Sequence, residues 1–329
     1  MVVSSLFFAR FKVICLFLSR NYSAMKAILS VLMLLLLSSL TWAQEGGEAG
    51  FSPIFGLNFK AELPKEVRET SGLFFHNGKL WTHNDSGGKP ILYALDTVTF
   101  EVVQRITLTN ARNKDWEDVC TDGETVFVGD FGNNKGSRDK LRIYTFPLSA
   151  IPVEGDTNVV VNTIDFAFAD QTNFEKRKLH DFDCEAMFAT EAYLYLLSKG
   201  WETGTTRLYR LPKTPGKHKA EVVNGFDSRG LVTGADYDRK NKVLVIVGYE
   251  KPIWRPFIYI IFDFDEAGVK LPYRRFEMPQ LVTCQTEGIC FFDEGKCFIS
   301  AETTRSMTAR VFEVDFRKWM EKNRKKSRK

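Results

Sequence analysis

The feature that most constrains this chain is a three-residue step that recurs five times: Ser71-Gly72-Leu73, Glu117-Asp118-Val119, Glu185-Ala186-Met187, Thr233-Gly234-Ala235 and Glu287-Gly288-Ile289. Each opens on an oxygen-bearing side chain, continues with a small or acidic residue and ends on an apolar one. Each is followed by a short apolar run, a turn and a second run. The steps lie 46, 68, 48 and 54 residues apart. Repeats of about 40–50 residues with four strands apiece mark a β-propeller.

The strands can be read in order. Leu73-Phe74-Phe75 and Lys79-Leu80-Trp81-Thr82 flank His76-Asn77-Gly78, and an Asn-Gly pair between apolar runs is a strong hairpin signal. Ile91–Leu95 and Val102–Ile106 complete the first unit. The second is read as Val119, Thr125–Val128, Leu141–Tyr144 and Val159–Val161, with the excess length placed around residues 170–179. The third has runs at 193–197, 207–211 and 221–223, and the fourth at 243–247 and 257–261. The fifth has 288–292, 296–300 and 310–314, and stops one strand short. A lone strand around Ile54-Phe55-Gly56-Leu57-Asn58-Phe59 supplies what it lacks. Val243–Val247 is apolar at every position, so both of its faces must be buried, as between two neighbouring blades. The expected fold is all-β: a five-bladed β-propeller, in preference to six blades, closed by the N-terminal strand joining the last blade.

The start of the chain reads as a leader. Met25-Lys26 precedes an apolar run at 27–37, and Thr41-Trp42-Ala43 offers small residues for cleavage after Ala43. The run is short for a membrane span, which wants about 20 residues. The expected domains are a signal peptide at 1–43, the propeller at 44–316 and a basic C-terminal tail at 317–329, in a protein exported to the periplasm or beyond. The chain's +4 charge is uneven: removing +4 for the leader and +7 for the tail leaves −7 on the body. An acidic body argues against a nucleic-acid partner, and the tail reads as a solvated end. Five cysteines follow the leader, at 120, 184, 284, 290 and 297, with no zinc-type spacing. They read as small buried thiols.

In a propeller the first strand of each blade lines the axis. Ser71, Glu117, Glu185, Thr233 and Glu287 would then converge at one end of it. Several carboxylates in a partly dry channel must be protonated, paired or bound to a cation. An oxygen-only donor set without His suits Ca2+ rather than zinc. The order Ser, Glu, Glu, Thr, Glu resembles the calcium-activated nucleotidases, the apyrase family of secreted five-bladed propellers. Gly78-Lys79-Leu80-Trp81, followed by a polar loop with Asp85, and Glu287-Gly288-Ile289 extend the likeness. It implies that the five step residues form a calcium shell and that Asp85 occupies an acidic position of the catalytic loop. The family's loop carries an Arg that Asn84-Asp85-Ser86-Gly87-Gly88 lacks. The loops 83–88, 115–118 and 129–134 more closely resemble uncharacterised exported bacterial propellers of phytase-like and esterase-like type, for which the likeness implies a fold and no reaction.

His83, Asp85 and Asp130 are candidates for a general acid/base set on adjacent loops, although Asn84-Asp85 and Asn133-Asn134 would equally cap tight turns. His180 reads as a loop residue; Arg138, Arg142 and Lys199 could bind phosphate across the loop face, with solvated charges the default reading; Trp116 and Trp201 could stack a sugar, with core or rim packing the more common role. Two classes of function follow. One is a calcium-centred propeller that binds a ligand or partner on its loop face, whether a small molecule, a glycan or phosphate ligand, a peptide or a partner protein. The other is a calcium-dependent hydrolase of a phosphate or other ester.

Overall fold

Asn77 and Gly78 take the positive φ values, 50° and 71°, that a tight hairpin turn of this kind requires. The same hairpin recurs around the molecule. A computed structural model describes residues 52–53, 56–266 and 273–327. The chain opens with β1 (Ser52–Pro53) and β2 (Leu57–Glu62). Then come β3 (Thr70–His76), β4 (Lys79–Asn84), β5 (Ile91–Asp96) and β6 (Val102–Leu108). They are followed by β7 (Trp116–Thr121), β8 (Thr125–Asp130), β9 (Leu141–Pro147), β10 (Thr157–Val159) and β11 (Asn162–Phe168). β12 (Asp183–Ala189), β13 (Tyr193–Lys199), β14 (Thr206–Pro212) and β15 (Gly216–Phe226) form the next run. After them come β16 (Leu231–Asp238), β17 (Val243–Glu250), β18 (Arg255–Ile261) and β19 (Tyr273–Glu277). The described chain ends with β20 (Thr286–Asp293), β21 (Lys296–Ala301), β22 (Arg310–Asp315) and helix α1 (Arg317–Ser327).

These strands make four sheets. β3 to β6 pair in sequence, and β10 adds in parallel to β6. β16 to β19 do the same, with β1 parallel on β19. β20, β21 and β22 are completed by β2, antiparallel to β22. The eight-stranded sheet consists of β7-β8-β9-β11 and β12-β13-β14-β15, joined where β11 pairs in parallel with β15. The first strands β3, β7, β12, β16 and β20 pack side by side in that order, and β20 returns to β3. The protein is an all-β propeller.

Burial follows from this radial order. β12 is buried along its whole length, and β17 in all but its last residue. The outer strands β6 and β11 alternate instead, with one face in water. The cores lie between neighbouring sheets: Val245, Val247 and Ile258 pack with Ile289, Ile299 and Val314, for example.

Several expectations change. Val159–Val161 is not the fourth strand of the second unit. Thr157–Val159 caps the neighbouring sheet as β10, and the fourth strand is β11. The lone N-terminal strand runs from Leu57 to Glu62, while Ile54 and Phe55 lie outside the described residues, as does the leader at 1–43. β19, Tyr-Arg-Arg-Phe-Glu, carries no apolar run and escaped the periodicity reading. The basic run at the C-terminus is helical, not a frayed end. Its Met320 is buried in the core, and its Trp319 packs on Phe276 at 5.0 Å. The five described cysteines are buried and unbridged. No helix among the described residues is long and apolar enough to cross a membrane.

Candidate functional site

The repeated step has a structural meaning beyond its place on the first strand. In every first-to-second strand pair the register slips there: between Thr70 and Leu73, Trp116 and Asp118, Cys184 and Ala186, Val232 and Gly234, and Thr286 and Ile289. Ser71, Glu117, Glu185, Thr233 and Glu287 all fall within these slips. A β-bulge re-aims a side chain out of strand alternation. The second position of the step is small where adjacent first strands touch. A Cβ on Gly288 would lie 2.2 Å from the Ser71 carbonyl oxygen.

Ser71, Glu117, Glu185 and Glu287 line one cavity of about 190 Å³. Thr233 does not line it. Its hydroxyl donates to the Thr286 carbonyl at 2.7 Å. The Ser71 hydroxyl donates likewise to the Glu117 carbonyl, at 2.5 Å. Much of the rest of the wall comes from residues at or just past the ends of the second strands. Pairing sets Asn84 opposite Thr70, Lys199 opposite Asp183, Tyr249 opposite Leu231 and Ala301 opposite Thr286. Asp85, Lys199, Tyr249 and Glu302 are thereby delivered beside the steps, and all four line the cavity.

The carboxylates differ in how they are compensated. Glu185 pairs with the Lys199 ammonium at 3.1 Å, and Lys199 is 4% exposed. Burial pulls the Lys199 pKa down, but Glu185 and the surrounding acids outweigh it and hold the ammonium charged. Glu287 accepts from the Gln285 amide at 2.8 Å, and the same amide reaches Glu302. Burial, then the charges of Glu287 and Asp85, push Glu302 up to about 8. Glu117 has no such partner. It is 4% exposed, and among the described residues its carboxylate takes part in no hydrogen bond or ion pair. Burial, and then Glu185, Asp85 and Asp115, raise its pKa well above the usual range.

Beside Glu117 stand Asp85 and Asp115. One oxygen from each of the three lies within 4.8 Å of the others. Asp85 Oδ1 is buried without a partner. Burial and the Asp115 and Glu287 charges push Asp85 up to about 7, and burial takes Asp115 to about 6 against the pull of Arg138. Gly132 makes the cluster possible, because a Cβ there would lie 2.0 Å from Glu117 Oε1 and 2.5 Å from Asp115 Oδ2. Three clustered carboxylates, none of them in an ion pair among the described residues, and oxygen donors only, fit a hard divalent cation.

The acid/base set is not assembled. Asp85 lines the cavity, but His83 and Asp130 do not. His83 is fully buried, edge-on to Trp116 at 5.6 Å, and burial lowers its pKa to about 4. Asp130 is tied to Arg138 at 3.2 Å and accepts from the Asp115 amide at 3.2 Å. His180 is a buried loop residue whose Nδ1 accepts from the Phe182 amide. Trp116 is core, and Arg142 pairs with Asp165.

Sequence reasoning missed Asp115, Lys251, Trp254, Gln285 and Glu302, and took Lys199 for a solvated charge. A signal was present. In each unit the residues just where the second strand ends face the step across the hairpin.

No known family matches the sequence, and no curated protein does. The likeness to apyrases and phytase-like proteins therefore has no family match behind it. Solved β-propeller structures are similar in fold. A luciferin-regenerating enzyme shares 10% identity over 79% of this chain and 95% of its own, with a TM-score of 0.42. A glucose dehydrogenase shares 8% over 78% and 99%, with a TM-score of 0.45. An exo-β-1,3-galactanase from Phanerochaete chrysosporium shares 11% over 78% and 63%, with a TM-score of 0.48. Likeness at this distance says nothing about the chemistry of the cavity.

Proposed function

We propose that this is an exported, calcium-centred propeller of five blades, closed by β2, that binds a small ligand at the cavity mouth. In this reading the eight-stranded sheet is two blades sharing an outer edge. The ion sits on Asp85, Asp115 and Glu117, with Ser71 and Glu287 in the same cavity and Glu185 neutralised by Lys199. The observation that carries the reading is Glu117, a buried carboxylate with no counter-charge inside a cluster of acids. Burying such a charge uncompensated costs several kcal/mol, and a bound cation removes that cost. Ca2+ takes 6–8 oxygens, so three carboxylates leave positions for a ligand's oxygens or for water.

Calorimetric titration of chelator-treated protein tests this. Calcium should bind with one site per chain and raise the melting temperature, and Glu117→Gln should weaken binding at least tenfold. Titration of wild-type and variant with equal affinity would sink the reading.

Hydrolysis of a phosphate or other ester is the second reading, and Lys199 favours it. A fixed cation next to the candidate ion supplies the charge stabilisation that the Asn84–Gly88 loop lacks. Glu302, held protonated, is placed to give a proton to a leaving oxygen. A panel of phosphate and carboxylic esters, run with calcium and with chelator, decides it. No turnover with calcium present leaves the binding function alone.

A further inference from the structure

The wall facing the acids has the opposite charge. Lys199 and Lys251 both lie over the indole of Trp201, with their ammonium nitrogens 5.1 and 4.2 Å from its ring centroid. Trp201 is held by its own N–H, which donates to Asp183 Oδ2 at 2.7 Å. Asp183 is fixed in turn by the Asn133 amide at 2.6 Å. The indole is therefore a fixed platform with an ammonium group at each of two contacts, both attracted by the ring's π electrons. Lys199 has Glu185 for a partner. Lys251 lines the same cavity and joins no ion pair among the described residues. Burial, and then the like charge of Lys199, lower the Lys251 pKa. Lys251 is exposed at the cavity and the indole fixes where its ammonium stands.

The loop that carries Lys251 is itself constrained. Trp254 is a non-glycine residue in the left-handed region, at φ 46°, and it too lines the cavity. Its carbonyl accepts from the Thr283 amide at 2.9 Å, anchoring the loop to the segment ahead of β20. Unfavourable backbone held in place by its surroundings gathers at ligand clamps.

We propose that Lys251, seated on Trp201 with Lys199 behind it, is an anion subsite, and that the cavity's ligand is a small organic oxyanion bridging this subsite and the cation on Asp85, Asp115 and Glu117. The inference rests on the cation reading above. The ligand's charged oxygens meet Lys251 and the ion, and its body lies against Trp254. Neutral sugars gain nothing from Lys251, and cationic ligands are repelled by it and by the ion.

Benzoate, phenyl phosphate and the neutral benzyl alcohol serve as probes, titrated calorimetrically into calcium-loaded protein, with the fluorescence of Trp201 and Trp254 as a second readout. At least one anion should bind tenfold or more tightly than the alcohol, and whichever anion is preferred separates carboxylate from phosphate ligands. Lys251→Ala should weaken that anion at least tenfold while calcium affinity changes less than twofold. Lys251→Met, which keeps the apolar stem over Trp201, should do the same. Equal binding of benzyl alcohol, failure of both anions to bind, or unchanged anion affinity in both variants overturns the subsite. Anion binding of the same strength in chelator overturns the bridge. Calcium titration without any probe fails separately if the cation reading itself is wrong.

Discussion

At the scale of single residues, the cavity is a problem of charge compensation solved for two carboxylates and left open for a third. Glu185 has Lys199, Glu287 has the Gln285 amide, and Glu117 has neither. Lys199→Met should leave Glu185 buried without a counter-ion and cost about 3–5 kcal/mol in urea unfolding. The double variant Lys199→Met/Glu185→Gln should recover most of that loss, and a double variant no better than the single one would show that the pair is not the unit of stability. Asp85 and Glu302 have folded pKa values near 7 and 8, against 3.8 and 4.5 when unperturbed. The folded chain thus keeps protons that the unfolded chain releases above about pH 4. The stability they confer is complete below pH 4 and is lost as pH rises through 7 and 8. In chelator the melting temperature should therefore fall between pH 5 and 8, and saturating calcium should flatten that slope. A profile that rises over this range without calcium would show that these acids are already compensated.

The bulged hairpin is the element that makes this chemistry repeatable. Its turn, its two apolar runs and the small residue after the step were all legible, since tight turns and alternation leave local marks. The slip in register was not legible, because a bulge is defined by the partner strand. For the same reason the second-strand ends went unread: Asp85, Lys199 and Glu302 matter only through what they face. Thr233 occupies the right place in the repeat, yet it spends its hydroxyl on the next first strand. Acids one or three positions further along do similar joining work. Asp118 Oδ2 accepts from the Met187 amide at 2.7 Å, and Asp236 Oδ2 from the Phe291 amide at 2.8 Å, each across to the following first strand. Asp118→Ala should orphan buried amides and cost about 1–3 kcal/mol. Gly288→Ala should cost as much or more by driving a methyl into the Ser71 carbonyl. Urea midpoints measure both, and a neutral Gly288→Ala would mean that the inner strands separate more easily than their spacing indicates.

Across the whole molecule the acidic cavity depends on first strands packed side by side, and the sheet that contains β20 includes β2, paired with β22. Lys60 on β2 pairs with Glu313 on β22 at 3.1 Å, 253 residues away. A chain lacking residues 1–63 should expose the β22 edge. It should aggregate or melt well below the full-length domain, and a truncated form that stays monomeric with an unchanged melting curve would show that β2 is dispensable.

The pairing of β2 with β22 also orders events in time. Among the described residues, β2 is the first long strand and its partner β22 is the last, so β2 stays unpaired until nearly the whole described chain has been made. Contacts this distant in sequence are slow to form, and a product cut short anywhere before residue 310 would leave β2 unpaired. The β2–β22 join thus ties the fate of the β22 edge to a segment made about 250 residues earlier.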